Sequence, residues 1–332
     1  MADLATQYLG MTLKNPVIAG SSGLSNSVKS IKQLEEGGAG AVVLKSIFEE
    51  EIAFEYDDIM KEAESKGYDL DQFDYYDYKI KEDNLNKYTA LISESKKSVS
   101  IPVIASVNCV YSHEWLAFVS QIEKAGADAL ELNMFFLPSD FERTSEEKEA
   151  AYFQIIEKVQ KAVTIPIALK ISYYFSNLGP MIQRLSETGI AGLVLFNRFF
   201  SPDFDIDKFE VVPSNTFSVP SDLPISLRWI AIMAERVKCD LAASTGVHDG
   251  TAVIKQLLAG ANAVQVVSAL YKNDKGYIQE MLKTLEEWMA KKGFNSLADF
   301  RGKMSQAKSS DPAAYERMQF MKYFGGKGSA SL

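Results

Sequence analysis

The 332-residue sequence has little cysteine, little histidine and no surplus of positive charge. Its two cysteines, Cys109 and Cys239, lie outside any Cys-x-x-Cys pattern, so the chain predicts neither a disulfide framework nor a zinc site. The formal net charge is −9, which argues against nucleic acid as a partner because phosphate backbones are bound by a surplus of lysine and arginine.

Long apolar runs are also missing. No segment approaches the roughly 20 apolar residues that a membrane span needs, and the N-terminal residues lack a basic segment followed by an apolar one. We therefore expect an unprocessed, cytoplasmic protein without a membrane partner. With 47% hydrophobic residues, the chain can bury the core of one barrel-sized domain or of two ordinary domains.

One pattern occurs four times, and it describes a helix followed at once by a strand. A polar helical segment ends at a glycine suited to the left-handed conformation, and a short apolar run follows that is typical of a buried parallel strand. The four copies are residues 36–44, 124–132, 187–195 and 258–266.

Further strand starts lie between these copies, and two of them carry proline, which is tolerated at the first residue of a strand. Eight strands result, and helical patterns separate them, which favours a single (β/α)8 TIM barrel over the alternative of a doubly wound sheet. We assign the barrel domain to residues 1–305 and a C-terminal tail to 306–332. The predicted strands lie near 17–21, 41–45, 102–108, 129–134, 166–171, 192–197, 240–244 and 263–268.

The interval between the second and third strands is longer than one helix requires. This insertion, about 48–98, is rich in acidic and aromatic residues. It is either a solvated helix with a decorated loop, or a lid or subunit contact, since an insertion after a barrel strand lies on the catalytic face. A shorter excursion, 199–224, follows the sixth strand and is placed to cover the mouth of the barrel.

Barrel enzymes carry their chemistry at the C-terminal ends of the strands, and these ends are polar here. Lys45 and Lys170 each interrupt an apolar run, so each needs an anionic ligand or an internal salt bridge. Three asparagines at strand ends offer the donors and acceptors that suit a flat heterocycle. The strand-end residues are Gly20, Ser21, Lys45, Ser46, Asn108, Asn133, Lys170, Asn197, Arg198, Ser244, Thr245, Gly246, Val267 and Ser268.

The last two of these strands end in Ser244-Thr245-Gly246 and Val267-Ser268. Barrels commonly hold a phosphate there with backbone N–H groups and small hydroxyl residues at a helix N-terminus. Arg198 indicates a bound carboxylate, because a guanidinium group fits one bidentately. No metal site is predicted.

At this point the residues resemble the dihydroorotate dehydrogenase family, from about Asn15 to Lys303. The opening strand from Asn15 to Ser21, the segment Leu44-Lys45-Ser46 and the closing segment 292–303 are each similar to the family's patterns. The soluble class is the nearer comparison. The resemblance implies FMN as cofactor, a homodimer, and a connection to pyrimidine biosynthesis.

By this resemblance, one set of strand-end residues would surround the flavin ring and ribityl chain, and a second set would hold the phosphate. Lys170 would stabilise the reduced ring, and Lys45 would lie along its other side as a catalytic residue. The first set is Gly20, Ser21, Lys45, Ser46, Asn108, Asn133, Lys170 and Asn197; the second is Ser244, Thr245, Gly246, Val267 and Ser268. Asn133, Asn197 and Arg198 would bind the substrate.

The sequence departs from the family where the substrate is deprotonated. Phe136 occupies the position of the family's catalytic cysteine, and a phenyl ring cannot accept a proton. The family's substrate loop after the second strand is replaced by the acidic insertion. Ser139 on the same loop is a candidate base, and Tyr173, Tyr174 and Cys109 are weaker ones.

Four functions remain open. The main hypothesis is an FMN-dependent oxidoreductase acting on CH–CH groups of a small, conjugated or carboxylated compound. The alternatives are a genuine dihydroorotate dehydrogenase with a substituted base, a non-redox phosphate-binding barrel such as a Schiff-base aldolase that uses Lys170 or Lys45, and a non-catalytic flavoprotein subunit. The last would relay electrons to a partner through the acidic insertion and the tail.

Overall fold

The computed structural model describes residues 2–48, 73–108, 115–134, 136–198, 201–214 and 216–316. Within them, eight parallel strands form a closed barrel, which confirms the predicted (β/α)8 architecture. The barrel closes because the strand Val17–Ala19 pairs with both Ala41–Val43 and Ala263–Val266, and Ala41–Val43 also pairs with Val103–Asn108. The barrel strands are β3 (Val17–Ala19), β4 (Ala41–Val43), β6 (Val103–Asn108), β7 (Ala129–Asn133), β8 (Ile167–Ile171), β9 (Gly192–Leu195), β12 (Asp240–Ala243) and β13 (Ala263–Val266).

Among the residues that the structure describes, two hairpins and one short strand accompany the barrel. Strands β1 (Thr6–Tyr8) and β2 (Met11–Leu13) form an antiparallel pair that the sequence patterns missed. Strands β10 (Pro202–Asp205) and β11 (Glu210–Pro213) form a second hairpin inside the excursion after the sixth barrel strand. Strand β5 (Ile47–Phe48) extends the C-terminal end of the barrel by pairing with β6.

Helices alternate with the strands as the sequence predicts. Their starts follow the expected capping chemistry: Thr144, for example, forms a capping box with Glu147. The glycines at the four repeated helix-to-strand joints all have positive φ angles, between 89° and 123°. The helices are α1 (Val28–Glu36), α2 (Phe73–Ser98), α3 (Trp115–Lys124), α4 (Ser145–Ala162), α5 (Leu178–Ser186), α6 (Leu223–Met233), α7 (Gly250–Ala259), α8 (Ser268–Lys272) and α9 (Tyr277–Lys292).

Part of the predicted insertion belongs to the barrel itself. Helix α2 occupies the second half of residues 48–98, and Leu85, Tyr88 and Ile92 on it are buried. The Tyr88 hydroxyl donates to the Ser106 carbonyl (3.0 Å) and accepts from the Ser106 N–H (2.8 Å), which ties the helix to β6. Residues 49–72, on which the prediction of a lid or subunit contact falls, lie outside the described residues.

The barrel has two apolar layers. The outer one lies between strands and helices, and the inner one fills the barrel with small and branched side chains such as Ile18, Ala168 and Val194. The β1–β2 hairpin closes the N-terminal end, where Tyr8 and Leu9 are fully buried. This plug leaves the C-terminal end as the open face of the barrel.

The segment after α9 packs onto the barrel as far as Glu316. Leu297 and Phe300 are buried, and the Tyr315 hydroxyl donates to the Met304 carbonyl at 2.6 Å. The rest of the tail, 317–332, lies outside the described residues. Across the described ranges, no helix combines the length and apolar character that a membrane crossing requires.

Candidate active site

The polar layer at the mouth follows from strand alternation. Residues two apart on a strand share a face, so the inner-layer alanines of β7 and β8, Ala129 and Ala168, place Glu131 and Lys170 in the barrel two residues later. The register sets Asn133 beside Lys170 on the neighbouring strands. The strand-end residues therefore converge because the period is two and the barrel is closed.

A buried polar triad lies at the centre of this layer. The Lys170 ammonium donates to Gln265 Oε1 at 2.9 Å and lies 3.7 Å from Glu131 Oε1. The Gln265 amide nitrogen in turn donates to Glu131 Oε2. Only 1% of Glu131 and 7% of Lys170 is exposed, so the internal salt bridge considered for Lys170 is present.

Beside the triad, a cavity of about 610 Å³ opens at the mouth of the barrel, within the size range of ligand pockets. It brings together residues from five of the predicted strand ends with residues from the excursion after β9. The predicted residues that line it are Ser21, Lys170, Asn197, Arg198, Ser244, Thr245, Gly246, Val267 and Ser268. Ser201, Pro213, Thr216, Phe217 and Ser218 of the excursion and Val247, Gln265 and Tyr271 also line it.

One end of the cavity has the form of an anion cradle. Thr245 and Gly246 both have positive φ angles, 76° and 79°, and the Thr245 hydroxyl donates to the Phe196 carbonyl at 3.1 Å. A Cβ atom on Gly246 would lie 2.2 Å from the Leu223 backbone nitrogen, so the loop has room for glycine alone. At the end of the adjacent strand, Ser268 begins α8, and the first N–H groups of a helix have no intrahelical acceptor.

A chain of hydroxyl groups flanks the cavity at the β3 and β4 ends. The Ser21 hydroxyl lies 3.1 Å from the Ser46 hydroxyl, which lies 2.7 Å from that of Ser106. The Ser46 backbone N–H also donates to the Ser21 hydroxyl at 3.0 Å. These contacts hold Ser21, which lines the cavity, against the buried Ser46 behind it.

Hydrogen bonds also connect the asparagines at the ends of β7 and β9, Asn133 and Asn197. The Asn197 amide nitrogen donates to the Asn133 side-chain oxygen, and the Arg198 N–H donates to that of Asn197 at 2.9 Å. The Arg198 guanidinium donates to the Thr216 carbonyl at 2.9 Å, and its Nε lies 3.9 Å from Asp222 Oδ2. Arg198 is thus anchored on one side while it lines the cavity.

The remaining predicted residues are not among those that line the cavity. Gly20 lies directly behind it, since a Cβ atom there would be 2.8 Å from Val267 Cγ2. Asn108 is buried at the end of β6, and Lys45 is half-buried after β4. Ser139 is exposed on its loop, so its expected role as a base gains no support from this geometry.

Phe136 lies in an aromatic cluster near the mouth. Its ring packs edge-on against Tyr152 with centroids 5.2 Å apart, and Tyr152 contacts Phe175. These rings line a second cavity of about 380 Å³, which Tyr173 and Tyr174 also border. A third cavity of about 270 Å³ joins these tyrosines to Asn197, Arg198 and Ser244 of the large cavity.

Two of the tyrosines here, Tyr173 and Tyr152, are poor bases at neutral pH. The hydrogen bond with Tyr174, together with burial, raises the pKa of Tyr173 to about 12. Burial also raises the pKa of Tyr152 far above its usual range. Tyr173 and Tyr152 therefore keep their protons. Tyr174 borders the second cavity beside Tyr173, and Cys109, also a candidate from the sequence, lies outside the described residues.

A histidine supports the excursion at the cradle. His248 Nε2 lies 3.0 Å from the Ser218 hydroxyl, and the Ser218 N–H donates to the Ser268 hydroxyl at 2.9 Å. Burial and the nearby Lys272 ammonium lower the pKa of His248. His248 is not among the residues that line the cavity, so it acts by holding Ser218.

Sequence reasoning missed Gln265 and assigned no role to Glu131. Each is a polar residue within an apolar run, the same signal that singled out Lys170. Thr216, Phe217, Ser218 and Tyr271 were also missed, because no strand-end pattern marks residues that reach the cavity from a loop or a short helix.

Comparison with known proteins finds similar sequences over most of the chain. The family model described as "Dihydroorotate dehydrogenase" matches residues 67–289, more than half of the chain. A dihydroorotate dehydrogenase B (NAD(+)), catalytic subunit, of Thermoplasma volcanium is 27% identical over 91% of this chain and 98% of its own length.

Two further relatives span the same extent. The protein of the same description from Methanothermobacter thermautotrophicus is 26% identical over 90% of this chain and 97% of its own. The dihydroorotate dehydrogenase A (fumarate) of Lactococcus lactis subsp. lactis is 24% identical over 91% and 99%. With the barrel, the polar mouth and these matches taken together, the chain belongs to the dihydroorotate dehydrogenase family of oxidoreductases.

Proposed function

We propose that this protein is an FMN-dependent oxidoreductase that acts on a small carboxylated compound other than dihydroorotate. One observation carries the proposal: a single cavity joins the buried cation Lys170 to the cradle of Ser244, Gly246 and Ser268. A planar cofactor with a phosphate at one end needs these two features in one cavity.

The cradle fits a phosphate group. Gly246 lets the loop pack directly against the backbone of α6, where a side chain would collide, and the loop is held in place through Thr245. The hydroxyls of Ser244 and Ser268 and the start of α8 supply donors for anionic oxygens. These residues would hold the phosphate of FMN.

The other end of the cavity fits an electron-accepting ring. Lys170 supplies a cation, and Asn197 supplies amide donors and acceptors. Ser21 lines the same cavity from the end of β3. Bound FMN would supply the electron acceptor for oxidation of a carbon–carbon bond. Lys170 would favour a ring that gains negative charge, because a fixed cation in a buried site needs no reorganisation.

The substrate is proposed from the residues around Asn197. Arg198 lines both the large cavity and the cavity bordered by Tyr173, and its guanidinium group would bind a carboxylate. Tyr173 and Tyr174 add aromatic surface that suits a flat, conjugated compound. Phe136 offers no proton acceptor, which argues against the reaction that the names of the relatives describe.

The absorption spectrum of the purified protein tests the cofactor. We expect the two visible bands of oxidised flavin and release of one FMN per chain on denaturation, identified by mass. A colourless protein that does not take up added FMN would refute the proposal. Covalent trapping of Lys170 by borohydride with a carbonyl compound would support the aldolase alternative instead.

The substrate class is tested anaerobically by flavin bleaching. We expect no bleaching with dihydroorotate and bleaching with one or more carboxylated compounds in a panel of reductants. Arg198→Gln should weaken binding of the bleaching compound by about tenfold or more. The matched control is Arg184→Gln, because Arg184 is exposed, pairs with Glu149 and does not line the large cavity. Rapid bleaching by dihydroorotate would establish instead the alternative of a genuine dihydroorotate dehydrogenase with a substituted base.

A further inference from the structure

The geometry points to Glu131 and Gln265 as positioning residues that set the charge presented to the proposed flavin site through Lys170. The inference rests on the proposed function, since it concerns the cofactor of that site. Gln265 holds the Lys170 ammonium, and Glu131 reduces the positive potential that Lys170 produces in the cavity.

Gln265 separates the two charges. Its amide oxygen accepts from the Lys170 ammonium at 2.9 Å, and its amide nitrogen donates to Glu131 Oε2. The direct distance between Lys170 Nζ and Glu131 Oε1 is 3.7 Å, longer than a hydrogen bond. Gln265 thus keeps the ammonium at a fixed place instead of letting it close onto the carboxylate.

The carboxylate is only partly satisfied by this arrangement. Glu131 Oε1 is fully buried and has no hydrogen-bond partner among the described residues. A buried carboxylate is costly unless it is paired and hydrogen-bonded. Glu131 therefore attracts the Lys170 ammonium strongly. The hydrogen bond from Lys170 to Gln265 keeps the ammonium from moving closer to the carboxylate.

The consequence is an oriented pair of charges. Lys170 and Gln265 line the cavity, whereas Glu131 is not among the residues that line it. A ring in the cavity is thus nearer to the Lys170 ammonium than to the Glu131 carboxylate. The carboxylate reduces the positive potential that the ammonium produces at the ring. Glu131 should lower the reduction potential of the flavin, and Gln265 should raise it by holding Lys170 forward.

Two variants give opposite predictions. Glu131→Gln removes the negative charge and keeps the shape of the side chain. The affinity for reduced flavin should therefore rise on the order of tenfold relative to that for oxidised flavin, which is a positive shift in midpoint potential of about 30 mV for a two-electron couple. Gln265→Leu removes the bridge and keeps both charges, so Lys170 should move toward Glu131 and the potential should become more negative. Midpoint potentials of the FMN-loaded proteins, measured by dye-coupled titration, provide the readout.

Asp240→Asn is the matched control, because it removes a carboxylate at the N-terminal end of the same barrel, where Asp240 accepts from the Leu9 N–H. Its potential should stay unchanged. Shifts of the same sign in both variants, or no shift in a variant that binds FMN, would overturn the inference and leave the proposed function standing. A wild-type protein that does not bind FMN would overturn both. If one variant does not fold, the sign of the shift in the other still decides.

Discussion

The Nζ atom of Lys170 lies 3.7 Å from Oε1 of Glu131 in the interior of the barrel, with Gln265 bridging the two side chains. The two charged residues are on adjacent strands, β7 and β8, and both are almost completely buried. Removing either residue would leave the other charge buried and uncompensated, so the triad matters both for stability and for the charge of the site.

Replacing Lys170 alone should destabilise the protein. Lys170→Met leaves the Glu131 carboxylate buried without a cation, and breaking a buried pair in this way costs about 3–5 kcal/mol of unfolding free energy. The double variant Lys170→Met/Glu131→Gln should recover at least half of this loss, because no uncompensated charge remains. Thermal midpoints and denaturant titrations of the four proteins form the cycle. Equal losses in the single and double variants would contradict the coupling.

Gly246 should be required for binding of the cofactor phosphate. Gly246→Ala places a Cβ atom 2.2 Å from the Leu223 nitrogen, which forces the loop to move. We expect at least a tenfold loss of FMN affinity and a smaller loss for riboflavin, which has no phosphate. The control is Gly293→Ala, because Gly293 also has a positive φ but open space around it. Flavin fluorescence titrations of the apoproteins measure both. Equal losses of affinity for FMN and riboflavin would show that Gly246 does not act on the phosphate.

His248 should make stability depend on pH in the mildly acidic range. Its pKa in the folded protein is lowered, mainly by burial, so the unfolded chain binds the proton more readily than the folded one. The stability that the neutral imidazole contributes is therefore present above its usual pKa of about 6.5 and is lost as the pH falls toward the folded-state pKa. In His248→Gln, this part of the decline in thermal midpoint below the usual histidine pKa should vanish. An unchanged pH profile in that variant would contradict the assignment.

Restoring a thiol at the family's position should not by itself restore dihydroorotate oxidation. Phe136→Cys supplies a proton acceptor, but the sequence also lacks the family's substrate loop, so we expect no bleaching of the flavin by dihydroorotate. The variant should also lose about 0.5–1.5 kcal/mol of stability with the edge-on contact between Phe136 and Tyr152. Phe136→Leu is the control for the packing loss. Bleaching in the cysteine variant alone would show that the rest of the dihydroorotate site is in place.

Much of the fold could be predicted from the sequence because its determinants are local. The glycines at the four helix-to-strand joints and the short apolar runs after them mark the alternation of helix and strand. The hairpin β1–β2 was missed because its three-residue strands carry no such pattern. The helix Phe73–Ser98 was only partly foreseen, since its acidic and aromatic start resembles a loop.

The sequence alone determined that polar groups stand at the ends of eight buried strands, because the residue types and the period of two are written along the chain. Only the tertiary structure decided which of them meet. Ser21, Lys170 and Ser268 line one cavity, whereas Lys45 and Ser139 do not. The triad of Glu131, Lys170 and Gln265 joins residues up to 134 positions apart, and such contacts depend on the register and closure of the barrel, which no local pattern encodes.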